Sequence, residues 1–406
     1  MADLEKSINE LLTRGVAAIY PSKEFLESRL KSGDKLTIYH GVDPTGPTLH
    51  VGHSVPLFKL AQFQQLGHNI IFLIGDMTAT IGDPTDKTAV RVPLTKEEVL
   101  ENSKLYKKQA SKIIKFSGEN PAKLRYNSKW LAKLSLADTF KVYSNMTYAQ
   151  TIKRDMFQKR IAEGKDLYLH EFMYPMMQGY DSVALDVDGE IGGNDQTFNM
   201  LVGRDLMKKL KNKEKFVVCT KLLTDSSGKK MGKTEGNMVA LDEDANQMFG
   251  KVMSWADGLI LSGFELCTRL PMEKIQEIKS KLDNGLNPRD AKLILAGEIT
   301  AIYHGQKKAR EAKKNFLAVF SDKSRMGEVK ETRVEVGELL VDVVSREKLV
   351  SSKSDFRRLI AEGAVSNAET KEKITDPFFK ITSDLTIRIG PLRFLKIVVQ
   401  GEKNKF

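Results

Sequence analysis

Residues 70–74 (IIFLI) are apolar at every position. A strand of that kind has no face to offer water, so it belongs inside a sheet covered on both sides, the usual condition of a parallel sheet. Before it come a short strand pattern at 35–39 (KLTIY) and a helical pattern at 55–66, and the three together read as a βαβ unit. Residues 216–219 (FVVC) supply a later strand. The expectation is an α/β fold: a doubly wound, Rossmann-like parallel sheet.

At 406 residues the chain exceeds what one hydrophobic core usually serves. Strand signals fade after residue 242, and lysine-rich helical spacing takes over at 272–282 and 288–312. The polar stretch 321–332 (SDKSRMGEVKET) reads as a linker. Beyond it, helical patterns at 338–343 and 354–362 give way to strand patterns at 386–389 and 394–399, a small α+β module. The expected domains are therefore 1–238, Rossmann-like; 239–326, helical; and 334–406, the C-terminal module.

No stretch approaches the roughly eighteen apolar residues of a membrane span, and Asp3 and Glu5 stand where a signal peptide is basic. Cys219 and Cys267 are too few for a disulfide framework. Both observations predict a cytoplasmic protein without a membrane partner. The formal charge of +11 favours a polyanionic partner. From residue 345 onward, thirteen Lys and Arg face eight Asp and Glu, which concentrates that tendency in the last module.

Three of the six histidines fall within 40–53, in YHGVDPTGPTLHVGH from Tyr39. The segment leaves a strand, passes the turn residues Pro44, Gly46 and Pro47, and enters a helix, the junction where α/β sheets bind ligands. A helix start offers unpaired N–H groups to phosphate, and Gly52 lets a nucleotide come close. Taken alone, a His-x-x-His pair also fits a helix cap or a zinc site. A second segment, 226–234 (SSGKKMGKT), carries Lys229, Lys230 and Lys233 between glycines. It suits charge stabilisation of phosphates, and by itself it equally suits solvated surface.

The two segments together resemble the paired signatures of class I aminoacyl-tRNA synthetases, written here HVGH at 50–53 and KMGKT at 230–234. Val51, Gly232 and Thr234 depart from the usual isoleucine and serines, while both histidines and both lysines are kept. Within that class, Tyr39-x-Gly-x-Asp-Pro-Thr45, Ile81-Gly-Asp-Pro-Thr85, Tyr174-x-x-x-Gln178-Gly-Tyr-Asp181 and Gly192-Gly-Asn-Asp-Gln196 resemble the bacterial-type tyrosyl-tRNA synthetases. The resemblance implies that Tyr39 and Asp181 meet the phenol of tyrosine, and that Asp83, Tyr174 and Gln178 meet its ammonium. It also implies ATP contacts from Gly41, Asp43, Gly52, His53, Gly193, Asp195 and Gln196. Around the phosphates it sets Thr45, His50, Lys87, Arg91, Lys230 and Lys233; with His53, these seven form the expected catalytic set. Lys87 and Arg91 read equally as loop surface charge, and Asn127 and Trp130 match a family pattern but are left to structural roles.

Residues 351–367 resemble a small RNA-binding module shared with a ribosomal protein, with Lys353, Arg357 and Arg358 facing phosphates. The implied reaction joins tyrosine to ATP and then to tRNA(Tyr), with Mg2+ brought by ATP, no protein-bound metal, and a homodimer. Alternatives from other classes are a noncatalytic RNA-binding protein of the same fold, a tryptophan-activating enzyme and a small-molecule nucleotidyltransferase.

Overall fold

A computed structural model describes residues 2–84, 94–224, 238–321, 330–350, 352–390 and 393–400. The chain divides into two compact units, 1–313 and 314–406.

The first unit is built on six strands: β1 (Val16–Tyr20), β2 (Thr37–Val42), β3 (Asn69–Ile74), β4 (Lys123–Tyr126), β5 (Gly189–Gly193) and β6 (Phe216–Thr220). Their order is β1-β6-β5-β2-β3-β4. β2 runs parallel to both β3 and β5, and the other pairs are parallel too except β1, which lies antiparallel on the edge beside β6. The sheet is thus mixed where a purely parallel one was expected; a lone antiparallel edge strand is a common departure in such sheets.

Alternation along β2 and β3 divides the core. Tyr39, Ile71 and Leu73 pack with Val187 on one face, whereas Phe72 meets Phe116 and His40 on the other. The helix Val51–Gln65 packs on β2, β3 and β5, and its Phe63 stacks on Phe216 of β6 at 5.8 Å. It starts four residues before the apolar periodicity does, so Pro56 lies inside it.

Helices Ala245–Met253, Ile260–Cys267, Met272–Asp283, Pro288–His304 and Gln306–Ser321 follow the sheet. The continuous helix expected over 288–312 is broken at Gly305, whose φ of +85° lies in the left-handed region. Arg14, at the end of the first helix, donates to the carbonyls of Phe264, Glu265, Thr268 and Leu270. The Phe264 and Glu265 carbonyls belong to the last turn of Ile260–Cys267 and have no helical partner, so the buried guanidinium both satisfies them and opposes their dipole.

Lys59 plays a similar part for Ala2–Thr13: its ammonium, buried on Val51–Gln65, donates to Leu11 O at 2.8 Å. Burial, and next the charge of Arg14, bring its pKa from 10.5 down to about 7. The unfolded chain holds this proton to the higher value, so between the two unfolding takes up a proton and stability rises with pH. The penalty is complete at and below about pH 7. Lys59→Met is therefore expected to gain stability over the native chain as pH falls from about 10 to about 7, on the order of 3 kcal/mol. Thermal unfolding at both ends of that range checks this, and a pH-independent difference contradicts it.

The second unit holds β7 (Glu331–Glu335), β8 (Val365–Asn367), β9 (Leu385–Ile389) and β10 (Arg393–Gln400), ordered β7-β10-β9-β8. Helices Leu340–Arg346 and Lys353–Ala361 cover it, with Leu340, Val343, Phe356, Leu359, Ile387 and Leu395 in the core. The second helix is capped by Ser352, whose hydroxyl accepts from Asp355 N at 3.1 Å. The linker pattern largely falls at 322–329, outside the described residues, and its last two residues already belong to β7.

Candidate active site

The sheet order makes the site. β2 is the first strand of the central set, β3 lies to one side of it and β5 to the other, so the C-terminal ends of β2 and β5 flank a topological switch point. The chain leaves β2 at Asp43, β3 at Gly75, β4 at Asn127 and β5 just before Asp195. All four ends open on one crevice.

Asp43 accepts from Thr78 Oγ1 at 2.7 Å and from Tyr174 Oη at 2.9 Å. A Cβ at position 75 would stand 2.0 Å from Asp43 Oδ1, so only glycine leaves the carboxylate its place. Asn127, fully buried, donates to Thr78 Oγ1 at 3.1 Å and to Asp181 Oδ2 at 3.2 Å, while its carbonyl accepts from Met77 N at 2.9 Å. Trp130 Nε1 donates to the other oxygen of Asp181 at 2.8 Å. Asp43, Thr78, Asn127, Asp181 and Trp130 thus form one hydrogen-bonded wall.

Asp181 lies on the helix Leu169–Leu185 and is 2 % exposed. Burial raises its pKa well above the usual carboxylate range, against the pull of the Trp130 and Asn127 hydrogen bonds. Tyr39 sits on β2, wholly buried, with its hydroxyl 3.0 Å from Ser182 Oγ. Burial, then the negative charges of Glu190 and Asp181, push its pKa up, so the phenol keeps its hydrogen.

On the same helix Gln178 donates to Glu190 Oε1 at 3.1 Å. Gln196 Nε2 donates to Asp83 Oδ2 at 2.6 Å, joining the 3-10 turn Asn194–Gln196 to the loop after β3. Gly193 precedes that turn, where a Cβ would meet Asp195 Oδ1 at 2.4 Å. Gly41, next to last in β2, is exposed, and a Cβ there would make only ordinary contacts, the nearest at 3.6 Å to Leu73.

His50 caps the helix Val51–Gln65: its Nδ1 accepts from Gly52 N at 3.1 Å, and its own amide donates to His53 Nδ1 at 3.2 Å. With both Nδ1 atoms accepting, each neutral ring carries its hydrogen on Nε2. The rings stack at 3.8 Å and 27°. Gly52 has a local reason as well: a Cβ there would lie 2.9 Å from His50 Cε1. Thr45 is exposed on the preceding turn, which Tyr106 Oη ties down through Gly46 O and Asn102 through Pro44 O.

Val51 N donates to Val239 O at 2.9 Å and Leu241 N to Leu49 O at 2.8 Å, so the chain leaving the lysine segment runs beside His50. Lys230 and Lys233 themselves lie outside the described residues, as do Lys87 and Arg91. Among the described residues no group of three His, Cys, Asp or Glu gathers to hold a metal ion. In the second unit, Lys353 pairs with Asp342 at 2.6 Å, Arg358 pairs with Asp355 and Glu362, and Arg357 lies over the Phe378 ring at 5.6 Å.

The sequence reading left Asn127 and Trp130 out of the site and overlooked Ser182, Glu190 and Lys215, which lie buried behind Tyr39 and Gln178. The motif around Asn127 was visible, but nothing in a sequence distinguishes a tryptophan that donates to a carboxylate from one that fills a core.

Residues 31–321 match the family described as tRNA synthetases class I (W and Y). Over 408 aligned residues the chain is 44% identical to a tyrosine--tRNA ligase of Carboxydothermus hydrogenoformans, covering 96% of this chain and 97% of that one. It is 41% identical over 406 residues to a tyrosine--tRNA ligase of Shewanella oneidensis, covering 98% and 100%. A C-terminally truncated mitochondrial tyrosyl-tRNA synthetase from Coccidioides posadasii shares the fold with a TM-score of 0.63 at 26% identity, over 77% of this chain and 96% of that one. A tyrosyl-tRNA synthetase of Archaeoglobus fulgidus, at 21% identity, shares it with a TM-score of 0.60 over 77% and 100%. With a switch-point crevice, a paired-histidine helix start and these matches along nearly its whole length, the chain belongs to the class I tRNA synthetases, in their bacterial-type tyrosine branch.

Proposed function

We infer that this protein activates tyrosine with ATP to tyrosyl-adenylate and transfers the tyrosyl group to the 3' end of tRNA(Tyr). The observation that carries the reading is the buried pair Tyr39 and Asp181 at the crevice floor, a phenol and a carboxylate held among fixed partners. A substrate phenol accepts from Tyr39 and donates to Asp181. Phenylalanine offers a partner to neither, and an indole, which only donates, offers none to Tyr39.

Asp83, Tyr174 and Gln178 line the opposite end, suited to an ammonium, with Asp43 behind Tyr174. Gly41, Gly52, His53, Gly193, Asp195 and Gln196 border the ATP side. The reaction needs no side-chain nucleophile. The tyrosine carboxylate attacks the α-phosphorus of ATP, pyrophosphate leaves, and a ribose hydroxyl at the tRNA end then attacks the adenylate carbonyl and releases AMP. Residues contribute orientation and charge stabilisation: the Nε2–H groups of His50 and His53 toward phosphate, with Thr45, Lys87, Arg91, Lys230 and Lys233 around the leaving pyrophosphate. Magnesium enters as part of the ATP substrate, held mainly by phosphate oxygens.

The domain reading assigns catalysis to 1–238, an anticodon-side helical domain to 239–326 and RNA binding to 334–406. Lys353, Arg357 and Arg358 are suited to RNA phosphates, because exposed ion pairs such as Lys353–Asp342 are weak and exchange cheaply. Exposed Leu136, Phe140, Tyr148 and Leu169 on neighbouring helices support a homodimer. Among the described residues no helix is long and apolar enough to cross a membrane, and the proposed location is the cytoplasm.

Tyrosine-dependent exchange of labelled pyrophosphate into ATP tests the reading, with tryptophan and phenylalanine as controls. Lys233→Ala is expected to lower the exchange rate by at least about a hundredfold, as removal of a transition-state donor does, without changing the circular dichroism. Unchanged exchange removes Lys233 from the mechanism, and exchange with tryptophan alone overturns the substrate.

A further inference from the structure

Lys215, the residue before β6, is 0 % exposed. Its ammonium forms an ion pair with Glu190 of β5, donates to Ser182 Oγ at 2.8 Å, and lies 5.9 Å from the centre of the Tyr39 ring. Space is reserved for it: a Cβ at Gly203 would stand 2.7 Å from Lys215 Nζ and 2.8 Å from Ser182 Oγ. A buried pair of this kind is seldom a net gain in stability over apolar residues of equal volume, which asks for another reason for its presence.

Hydrogen-bond polarity supplies one. An ammonium only donates and a carboxylate only accepts, so between them the pair fixes what its neighbours must do. Ser182 accepts from Lys215, which frees its own hydrogen for the Tyr39 oxygen 3.0 Å away. Tyr39 is then left a donor, its hydrogen drawn toward the Glu190 carboxylate until a substrate phenol offers an acceptor. On the other side, Glu190 takes the Gln178 N–H at 3.1 Å, so the Gln178 carbonyl turns away from Glu190 and is left as an acceptor.

We propose that Lys215 and Glu190 are positioning residues that set hydrogen-bond direction at both ends of the amino-acid pocket, making Tyr39 a donor to the substrate phenol and Gln178 an acceptor for its ammonium. The proposal rests on the tyrosine reading above and adds how the pocket is polarised. Without the pair, Ser182 and the Gln178 amide adopt either sense, and the pocket spends part of its time with a donor facing the ammonium and an acceptor facing the phenol.

The test is pyrophosphate exchange by the full chain, native and variant, with each substrate titrated separately. Native chain inactive with tyrosine would refute the underlying reading; the variants speak to the proposal. Glu190→Gln/Lys215→Met removes both charges together at similar volume. It is expected to raise the KM for tyrosine about tenfold and to lower the tyrosine-to-phenylalanine ratio of kcat/KM about tenfold, the size of one misdirected buried hydrogen bond, with the KM for ATP unchanged. Ser182→Ala cuts only the branch to Tyr39 and is expected to lower the same ratio. Native values of the tyrosine KM and the ratio in the double variant, or an equal rise in the KM for ATP and tyrosine, overturn the proposal, and so does a native ratio in Ser182→Ala.

Discussion

Asp181→Ala is expected to lower kcat/KM for tyrosine in pyrophosphate exchange by about two to three orders of magnitude, leaving the KM for ATP within a few-fold. The substitution removes the acceptor for the substrate hydroxyl and also takes a partner from two donors, the half-buried Trp130 Nε1 and one N–H of the buried Asn127 amide. A hydrogen bond to a charged group contributes about 1.5–3 kcal/mol and an unmatched buried donor costs about 1–3 kcal/mol more. At about 1.4 kcal/mol per factor of ten, their sum of about 2.5–6 kcal/mol spans about two to four orders, and the expected loss is its lower half. Asp181→Asn should retain part of the loss, because an amide restores one acceptor while placing a donor against Trp130 or Asn127. A loss below about tenfold for the alanine variant would mean that Asp181 is a structural wall residue and that the phenol is read elsewhere.

The second large effect concerns the last unit. β7 begins at Glu331 and pairs in parallel with β10, so a truncation that removes the sheet whole must end before it. A chain of residues 1–329 is expected to keep tyrosine-dependent exchange within about threefold and to lose at least about a hundredfold in tRNA charging. The crevice draws every described side chain from the first unit, while a basic module supplies phosphate contacts whose loss falls on the tRNA step alone. In the intact chain, charging at sub-saturating tRNA should fall steeply with added salt while exchange changes little. Parallel loss of both activities on truncation would show that the last unit supports the catalytic fold.

What the sequence reveals about this fold follows from how strongly each strand is buried. β3 is covered on both faces and announces itself as IIFLI, whereas β5 reads GEIGG, with no apolar run, because its glycines make room for Phe216 and Asp195. β1 sits half-covered on the edge and β4 alternates exposed and half-buried residues, so neither carries a strong pattern. The histidine helix start was legible because a cluster of rare residues beside turn residues has few explanations. Glu190 and Lys215 were not: charged residues 25 apart look like surface until the sheet brings β5 and β6 together. The Gly305 break hid in the same way, since the helical spacing continues on both sides of it.

Leu49 and Val51 are bonded to Leu241 and Val239, and this has a consequence for how the protein is born. On the ribosome, the βαβ unit is complete once β3 has emerged, yet the edge at Leu49 and Val51 has no mate until some 165 further residues have been made. A nascent chain halted before Val239 therefore carries the helix start at His50 and His53 with its backbone seam still open.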